Sequence, residues 1–341
     1  MGVTIKDIAK LAHVSATTVS NVINGKNSKT TEETKQRILD LVKEMDYKPN
    51  AMARSLVNGK TKLLGLILPD ISESYFAQLA RSIEEAARRS GYSILVCSTY
   101  NDLKNEQKVI DIMREHCVDG IIISSSLIKE NWQFKDVLKI KYPIVTLGRD
   151  IAEYEDVCNV CMNNYSSGYE ATKYLLDLGH KDIGFIAGEE WSSITKDRLS
   201  GYKKALNDYK IDVDEELIYN GNFNVETGMN GLERLLSKDR KISGVVACSD
   251  VIAYGVYKFA IKHNISIPED LSIVGIGDLK FSEVVTPALT TVKEPVDDIA
   301  ETAVNMLISI ITKKPRDKNE YEYDSKLIVR ESTCLCKERI I

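Results

Sequence analysis

From residue 61 onward, short apolar runs alternate with longer amphipathic segments, and this alternation restricts the possible folds most strongly. The runs 62–69, 92–97, 120–124 and 143–147 have the length of strands and are rich in Leu, Ile and Val. Nearly continuous apolar character is typical of parallel strands that are buried on both faces. A segment such as 75–90 instead repeats apolar residues at helical spacing. This region therefore predicts a parallel sheet covered by helices.

The same alternation restarts after residue 162 and predicts a second, similar half. The predicted strands are 183–187, 244–247 and 271–276, and the predicted helices are 167–178, 197–209, 225–237 and 251–263. Two such halves predict an α/β body of two doubly wound parallel-sheet subdomains. Because ligands of these sheets bind beyond the carboxyl ends of the strands, we expect a ligand site in the cleft between the halves.

The N-terminal stretch has a different pattern, which predicts a small all-α head. Thr4 can cap a first helix that has Asp7 in its first turn, and Ser15 can cap a second that ends at Asn24-Gly25. Two short helices joined by a tight turn predict a helix-turn-helix. Four short side chains face away from the apolar stripe of the second helix, where they could reach base edges: Ala16, Thr17, Ser20 and Asn21.

This head resembles the DNA-binding head of the LacI/GalR family of bacterial transcription regulators. The matching residues are Thr4-Ile5-Lys6-Asp7-Ile8-Ala9, Val14-Ser15, Thr18-Val19-Ser20, Val22-Ile23-Asn24, Tyr47-x-Pro49-Asn50 and Ala53-Arg54-x-Leu56. The resemblance implies a hinge helix on operator DNA, with Leu56 as an apolar wedge in the minor groove. The expected DNA-binding residues are Thr4, Lys6, Ser15, Ala16, Thr17, Thr18, Ser20, Asn21, Asn24, Tyr47, Asn50, Ala53, Arg54 and Leu56.

The body also resembles this family. The matching landmarks are Asp119-Gly120-Ile121-Ile122, Gly179-His180, Arg198-x-x-Gly201-Tyr202 and Thr286-Pro287-x-Leu289-Thr290. The resemblance implies the fold of periplasmic sugar-binding proteins (type I), in which the chain crosses between subdomains three times, here near 162, 291 and 326. The expected domains are a head at 1–48, a hinge at 49–60 and a body at 61–341, with subdomains at about 61–162 with 292–325 and 163–290 with 327–341.

Charge and composition support a DNA-binding protein of the cytoplasm. Residues 1–60 carry ten basic and six acidic side chains, whereas the remainder carries 35 and 44. A basic head joined to an acidic body is consistent with contacts to DNA phosphates by the head alone. With no export signal and no apolar run near the roughly 20 residues of a membrane helix, we expect seven reduced cysteines and no membrane partner. We interpret the pairs Cys158/Cys161 and Cys334/Cys336 as buried small residues, and we expect no metal or cofactor.

Side chains suited to a polyhydroxyl ligand follow several predicted strands. Aromatic rings cover the apolar face of a sugar, and charged groups bind its paired hydroxyls. The candidate effector-binding residues are Tyr75, Phe76, Ser125, Arg198, Phe223, Ser249, Asp250 and Asp278. By resemblance, Tyr75, Phe76, Arg198, Phe223 and Ser249 occupy effector positions of the family. A sugar or sugar phosphate is the favoured ligand.

Two departures from the family pattern leave the identity of the ligand open. Gly277 stands where the family usually has a carboxylate, so Asp278 either replaces that acid from a shifted place or only caps. Leu147-Gly148-Arg149 likewise lacks an acid directly after the leucine. Purine-type ligands, which one branch of the family sandwiches between aromatic rings, remain an alternative.

The sequence as a whole predicts a ligand-responsive repressor of a carbohydrate-utilisation operon that binds a palindromic operator as a homodimer. A second reading is a catabolite-control regulator whose corepressor is a phosphorylated carrier protein, bound by Arg81, Arg88 and Arg89. A sugar-binding transport receptor is disfavoured by the head and by the missing export signal. An enzyme is disfavoured because no nucleophile elbow, phosphate-binding loop or metal cluster accompanies the four histidines.

Overall fold

The computed structural model describes residues 3–25, 30–47, 59–124, 142–148, 157–237 and 242–336. They belong to two compact units, Met1–Thr61 and Lys62–Ile341, which we call the head and the body. Five residues expected to contact DNA or the effector lie outside the described ranges: Asn50, Ala53, Arg54, Leu56 and Ser125. Nearly all of the hinge expected at 49–60 lies outside them too.

The described head consists of three short helices, α1 (Ile5–Leu11), α2 (Ala16–Ile23) and α3 (Glu32–Glu44). Both predicted caps are present. The Thr4 backbone N–H donates to Asp7 at 2.9 Å, and the Thr18 backbone N–H donates to the Ser15 hydroxyl at 3.1 Å. The three helices enclose a small core that includes Ile8, Val19, Val22 and Ile38. The predicted helix-turn-helix head is therefore confirmed.

In its described residues, the body contains two six-stranded sheets, each built from strands that alternate with helices. The strands are β1 (Leu63–Leu68), β2 (Ser93–Ser98), β3 (Gly120–Ser124), β4 (Ile144–Leu147), β5 (Cys158–Met162), β6 (Ile183–Ala187), β7 (Ile218–Asn220), β8 (Gly244–Ala247), β9 (Ser272–Gly277), β10 (Thr290–Lys293), β11 (Glu320–Tyr323) and β12 (Lys326–Ile328). The helices are α4 (Ser74–Arg89), α5 (Leu103–Glu115), α6 (Asn164–Asp177), α7 (Ser193–Asp208), α8 (Val225–Leu236), α9 (Asp250–Lys262) and α10 (Val296–Thr312).

The order of strands confirms the predicted pair of doubly wound sheets. The first sheet runs β11-β5-β4-β3-β1-β2 and the second runs β12-β10-β9-β8-β6-β7. Neighbouring strands are parallel except for β10 and β12, which are antiparallel. Each sheet has its own apolar core, and α10 packs on the core of the first sheet. The chain therefore passes between the two sheets after β5, after β10 and between β11 and β12.

Several predicted boundaries differ from the structure by a few residues. β10 continues to Lys293 in the second sheet, so the second crossing lies after that residue and not near 291. Helix α7 begins at Ser193, four residues before the predicted start, so Arg198 lies inside the helix and does not open it. The sequence Ser192-Ser193 predicts a loop, whereas in the structure these two residues form the start of α7.

Close contact between helix backbones sets the position of α7. A Cβ atom at Gly168 of α6 would lie 2.0 Å from the Arg198 carbonyl oxygen, and one at Gly201 of α7 would lie 2.1 Å from the Tyr165 carbonyl oxygen. Only glycine at both positions allows α6 and α7 to approach so closely. The contact places Arg198 beside the N-terminus of α6. Among the described helices, none is long and apolar enough to cross a membrane.

Candidate functional site

A cavity of about 590 Å³ lies between the two sheets of the body. It is lined by the carboxyl ends of strands from both sheets, including Ser124 of β3, Met162 of β5 and Gly277 of β9. This is where a doubly wound fold is expected to hold a ligand. Five of the candidate effector residues line it: Tyr75, Phe76, Arg198, Phe223 and Ser249.

Arg198 is the most constrained polar group of the cavity. Its Nε donates to Asn164 Oδ1 at 2.9 Å, and its Nη1 donates to the Cys248 carbonyl oxygen at 2.6 Å. Its Nη2 donates to Glu294 Oε1 at 2.5 Å, and both side chains of this ion pair are 5% exposed. Burial alone would lower the pKa of Arg198, but the adjacent Glu294 carboxylate outweighs it, so the pKa lies above its ordinary value. The guanidinium therefore stays charged inside the cavity.

Glu294 is a site residue that the sequence analysis missed. It directly follows β10, in the segment that leads to α10 and the core of the first sheet. Its position just after a strand is the signal that could have identified it, since Ser249 was located by the same rule. Glu294 and Arg198 place a charged acceptor next to a charged donor, an arrangement that can bind two neighbouring hydroxyl groups of a ligand.

Aromatic rings from both halves border the same space. The rings of Tyr75 and Phe76, at the start of α4, meet edge to face with centroids 5.2 Å apart. In the second half, the Phe223 ring packs against Gly188, where a Cβ atom would lie only 2.5 Å from the ring. Glycine at 188 is therefore what allows Phe223 to reach the cavity. Flat apolar surfaces of this kind can cover the face of a sugar or a heterocyclic base.

Two further carboxylates border the cavity and were not identified from sequence. Glu73 precedes α4 in the first half, and Glu189 follows β6 in the second half. Burial, together with the negative charges of Asp70 and Glu189, raises the pKa of Glu73 to about 7. Burial also raises the pKa of Glu189. The two carboxylates border the cavity from opposite halves of the body.

The structure places neither Asp250 nor Asp278 in the lining of the cavity, in contrast to the prediction. Asp250 is fully buried and accepts hydrogen bonds from the Leu279 N–H (2.8 Å) and the Thr291 hydroxyl (2.5 Å). It therefore ties the loop after β9 to the start of α9. Asp278, which directly follows Gly277, accepts from Arg330 Nη2 at 2.6 Å.

In the head, several residues expected to contact DNA also make hydrogen bonds at the helix ends. The Ser15 hydroxyl caps α2, and the Asn24 amide donates to the Ser20 carbonyl oxygen at 2.7 Å, so both side chains are engaged at the helix ends. Tyr47 packs against the head core. Of the residues expected to contact DNA on these two helices and their caps, the exposed ones are Thr4, Lys6, Ser15, Thr17 and Asn24, and the half-buried ones are Ala16, Thr18, Ser20 and Asn21.

The arginines on the surface of α4 and the cysteines are weaker candidates for a binding or metal site than the residues of the cavity. On α4, Arg81 lies 3.0 Å from Glu85, and Arg89 lies 3.2 Å from Glu301, so carboxylates of the chain itself already face them. Arg88 lies 3.7 Å from Glu84. Cys158 is buried, and the described residues contain no group of side chains suited to hold a metal ion.

Two family models match the chain in the order of its two units. Residues 4–50 match the model for bacterial regulatory proteins of the lacI family. Residues 172–333 match the model for a periplasmic binding protein-like domain. The first match covers the helix-turn-helix, and the second covers most of the second sheet and its helices.

Curated relatives extend the similarity over nearly the full length. The HTH-type transcriptional regulator RegA of Clostridium saccharobutylicum is 35% identical over 336 residues, which is 98% of this chain and 100% of the relative. The ribose operon repressor of Halalkalibacterium halodurans is 33% identical over 330 residues, 97% of each chain. Both relatives are transcriptional regulators.

Solved structures agree with this result. The lac repressor dimer bound to its operator superposes with a TM-score of 0.86 at 21% identity, over 98% of this chain and 100% of the other, which shows the shared fold. A LacI family regulator from Enterococcus faecium with bound ribose has a TM-score of 0.72 at 27% identity, over 81% of this chain and 100% of the other. The chain therefore belongs to the LacI family of bacterial regulators, as a DNA-binding transcriptional repressor with a ligand-binding domain.

Proposed function

We propose that the protein represses a carbohydrate-utilisation operon, binds a palindromic operator as a homodimer, and responds to a small sugar-like effector in the cavity between its two sheets. The Arg198–Glu294 pair beside aromatic rings carries this proposal. A buried donor and acceptor can bind neighbouring hydroxyls, and the rings of Tyr75 and Phe223 can cover the apolar ring faces. The ribose-bound structure of a relative supports the same class of ligand.

The cavity also suggests how a ligand would act on the protein. Its lining comes from both halves of the body, so a ligand that contacts Phe76 and Phe223 together binds best when the halves are close. A ligand shifts such an equilibrium only through its different affinities for the two closure states. Linkage then requires that operator DNA and effector change one another's affinity by the same factor.

Phe223→Ala tests the cavity as the effector site. We expect it to weaken effector binding at least tenfold, because the loss of a stacking aromatic removes contact area worth about 1.5–3 kcal/mol. Operator affinity without effector should stay within twofold of wild type. The effector is first identified by a thermal-shift screen of sugars, sugar phosphates and purines, and its affinity is then measured by calorimetry. Tyr100→Ala, an exposed aromatic outside the cavity lining, is the control; equal effects of the two variants would contradict the proposal.

The head predicts two kinds of DNA contact that can be separated experimentally. Thr17→Ala and Asn21→Ala should change which bases are preferred in half-sites selected from a random pool, since both side chains lie on the outer face of α2. Lys6→Ala should weaken binding to all sequences and reduce the salt dependence by about one counterion, as expected for a phosphate contact. Recovery of no symmetric motif with the wild-type protein would contradict a dimeric operator complex.

A further inference from the structure

Polar side chains connect the places where the chain passes between the two sheets of the body. We call these places the first crossing (Asn163-Asn164, after β5), the second crossing (Glu294, after β10) and the third crossing (Asp324-Ser325, between β11 and β12). Each half is packed around its own core, so a movement of one half against the other must bend the chain at the crossings. Contacts among the crossings therefore bear directly on the cavity that lies between the halves.

The first and third crossings lie side by side and are joined by hydrogen bonds. The Asn163 backbone N–H donates to the Tyr323 carbonyl oxygen at 2.9 Å, and Asn163 Nδ2 donates to Asp324 Oδ1 at 3.3 Å. The Ser325 hydroxyl lies 3.0 Å from the buried Ser167 hydroxyl, which itself donates to the Asn163 carbonyl oxygen at 3.1 Å. Ser167 belongs to the first turn of α6. The third crossing therefore holds the N-terminal turn of α6 in place.

Arg198 connects the first crossing to the second. Asn164, the first residue of α6, accepts from Arg198 Nε at 2.9 Å, and Glu294 accepts from Arg198 Nη2 at 2.5 Å. The guanidinium is planar and carries its N–H donors in fixed directions, so these two acceptors set its orientation. The Arg198 and Glu294 side chains are both buried, and a buried polar network is sensitive to a shift of any of its members. A displaced Asn164 would therefore misorient Arg198.

We infer that Asp324 and Ser325, which do not belong to the lining of the cavity, are positioning residues for Arg198 and, through it, for the effector. They hold the first turn of α6, that turn places Asn164, and Asn164 orients the guanidinium. The inference rests on the proposed function only where it assigns Arg198 to the effector. A ligand group that binds the guanidinium competes with Asn164 and Glu294 for its N–H donors, so it acts on contacts of the crossings themselves.

The experiment measures how firmly Arg198 is held in the full chain without ligand. Hydrogen exchange of the Arg198 Nε–H group is followed by NMR in protein that contains isotope-labelled arginine, and the signal is assigned by its absence from Arg198→Lys. Asp324→Ala combined with Ser325→Ala should speed this exchange at least tenfold, because the bond to Asn164 then opens more often. Asp324→Asn combined with Ser325→Thr keeps an acceptor and a hydroxyl, so it should stay within twofold of the wild-type rate.

Ser82→Ala is the matched control for the loss of a long-range hydrogen bond. The Ser82 hydroxyl donates to Asp297 Oδ1 at 2.6 Å and joins α4 to α10, but both helices pack on the core of the first sheet, so this bond lies within one half. The control should leave the exchange of Arg198 within twofold of wild type. The inference is overturned if the alanine double variant also stays within twofold, or if Ser82→Ala speeds the exchange as much, since the effect would then be a general loosening.

Calorimetry separates this inference from the proposed function. The ligand is the sugar, sugar phosphate or purine that raises the melting temperature of the wild-type protein most in the thermal-shift screen. We expect it to bind the alanine double variant at least tenfold more weakly than wild type. Equal binding together with faster exchange would contradict the assignment of Arg198 to the effector, which belongs to the proposed function, and would leave the positioning of Arg198 in place. Unchanged exchange would overturn the positioning of Arg198 and leave the proposed function to the test with Phe223→Ala.

Discussion

Arg198→Ala is expected to lower the free energy of unfolding of the body by about 3–5 kcal/mol, because it leaves a buried carboxylate without its partner. Glu294 is 6% exposed and cannot recover the lost contact from bulk water. The Asn164 side chain and the Cys248 carbonyl oxygen also lose their donor. Urea denaturation followed by circular dichroism would measure the change. The same variant should lose its response to effector.

A double variant distinguishes the stability effect from the binding effect. Arg198→Met combined with Glu294→Leu replaces the ion pair by apolar side chains of similar volume, which is often neutral for stability. We expect the double variant to recover most of the lost free energy of unfolding while still failing to respond to effector. An Arg198→Ala protein within about 1 kcal/mol of wild type would show that water compensates the buried Glu294 carboxylate.

Gly201→Ala is expected to destabilise the body by about 3 kcal/mol, the upper range for overpacking a closely packed interior. In an open helix this substitution would stabilise by about 1 kcal/mol, because alanine has the higher helix propensity. Here the added Cβ atom would lie 2.1 Å from the Tyr165 carbonyl oxygen and 2.6 Å from the Tyr169 backbone nitrogen. Both contacts are with backbone, so α6 and α7 must separate. The separation would also displace Arg198 from Asn164 and weaken effector binding.

Ser200→Ala is the matched control for this glycine. It lies next to Gly201 on α7, but its side chain is exposed and bonds only to the Lys196 carbonyl oxygen of the same helix. We expect a change within about 0.5 kcal/mol, as for other surface substitutions. Thermal and urea denaturation of both variants would check the difference. A Gly201→Ala protein as stable as Ser200→Ala would mean that the two helices can move apart without cost.

Local sequence patterns were sufficient for the helical head and for the α/β class of the body. Helix caps at Thr4 and Ser15, the period of the apolar residues and the strand lengths depend on neighbours a few residues away, and the structure confirms them. The start of α7 was harder to predict. Ser192 is buried at the helix start without a side-chain capping bond, so the usual capping signal does not mark it.

For the cavity, the sequence by itself determined which strand ends would supply its aromatic rings and its arginine. It did so because each of these side chains lies in the loop or helix that follows its own strand, at the edge where parallel strands end. Only the tertiary structure decided which carboxylates line the cavity. Asp278 and Glu294 both follow strands, yet Arg330 binds the first and Arg198 binds the second. Their partners lie 52 and 96 residues away in the chain, and a buried charge is placed by the partner that neutralises it.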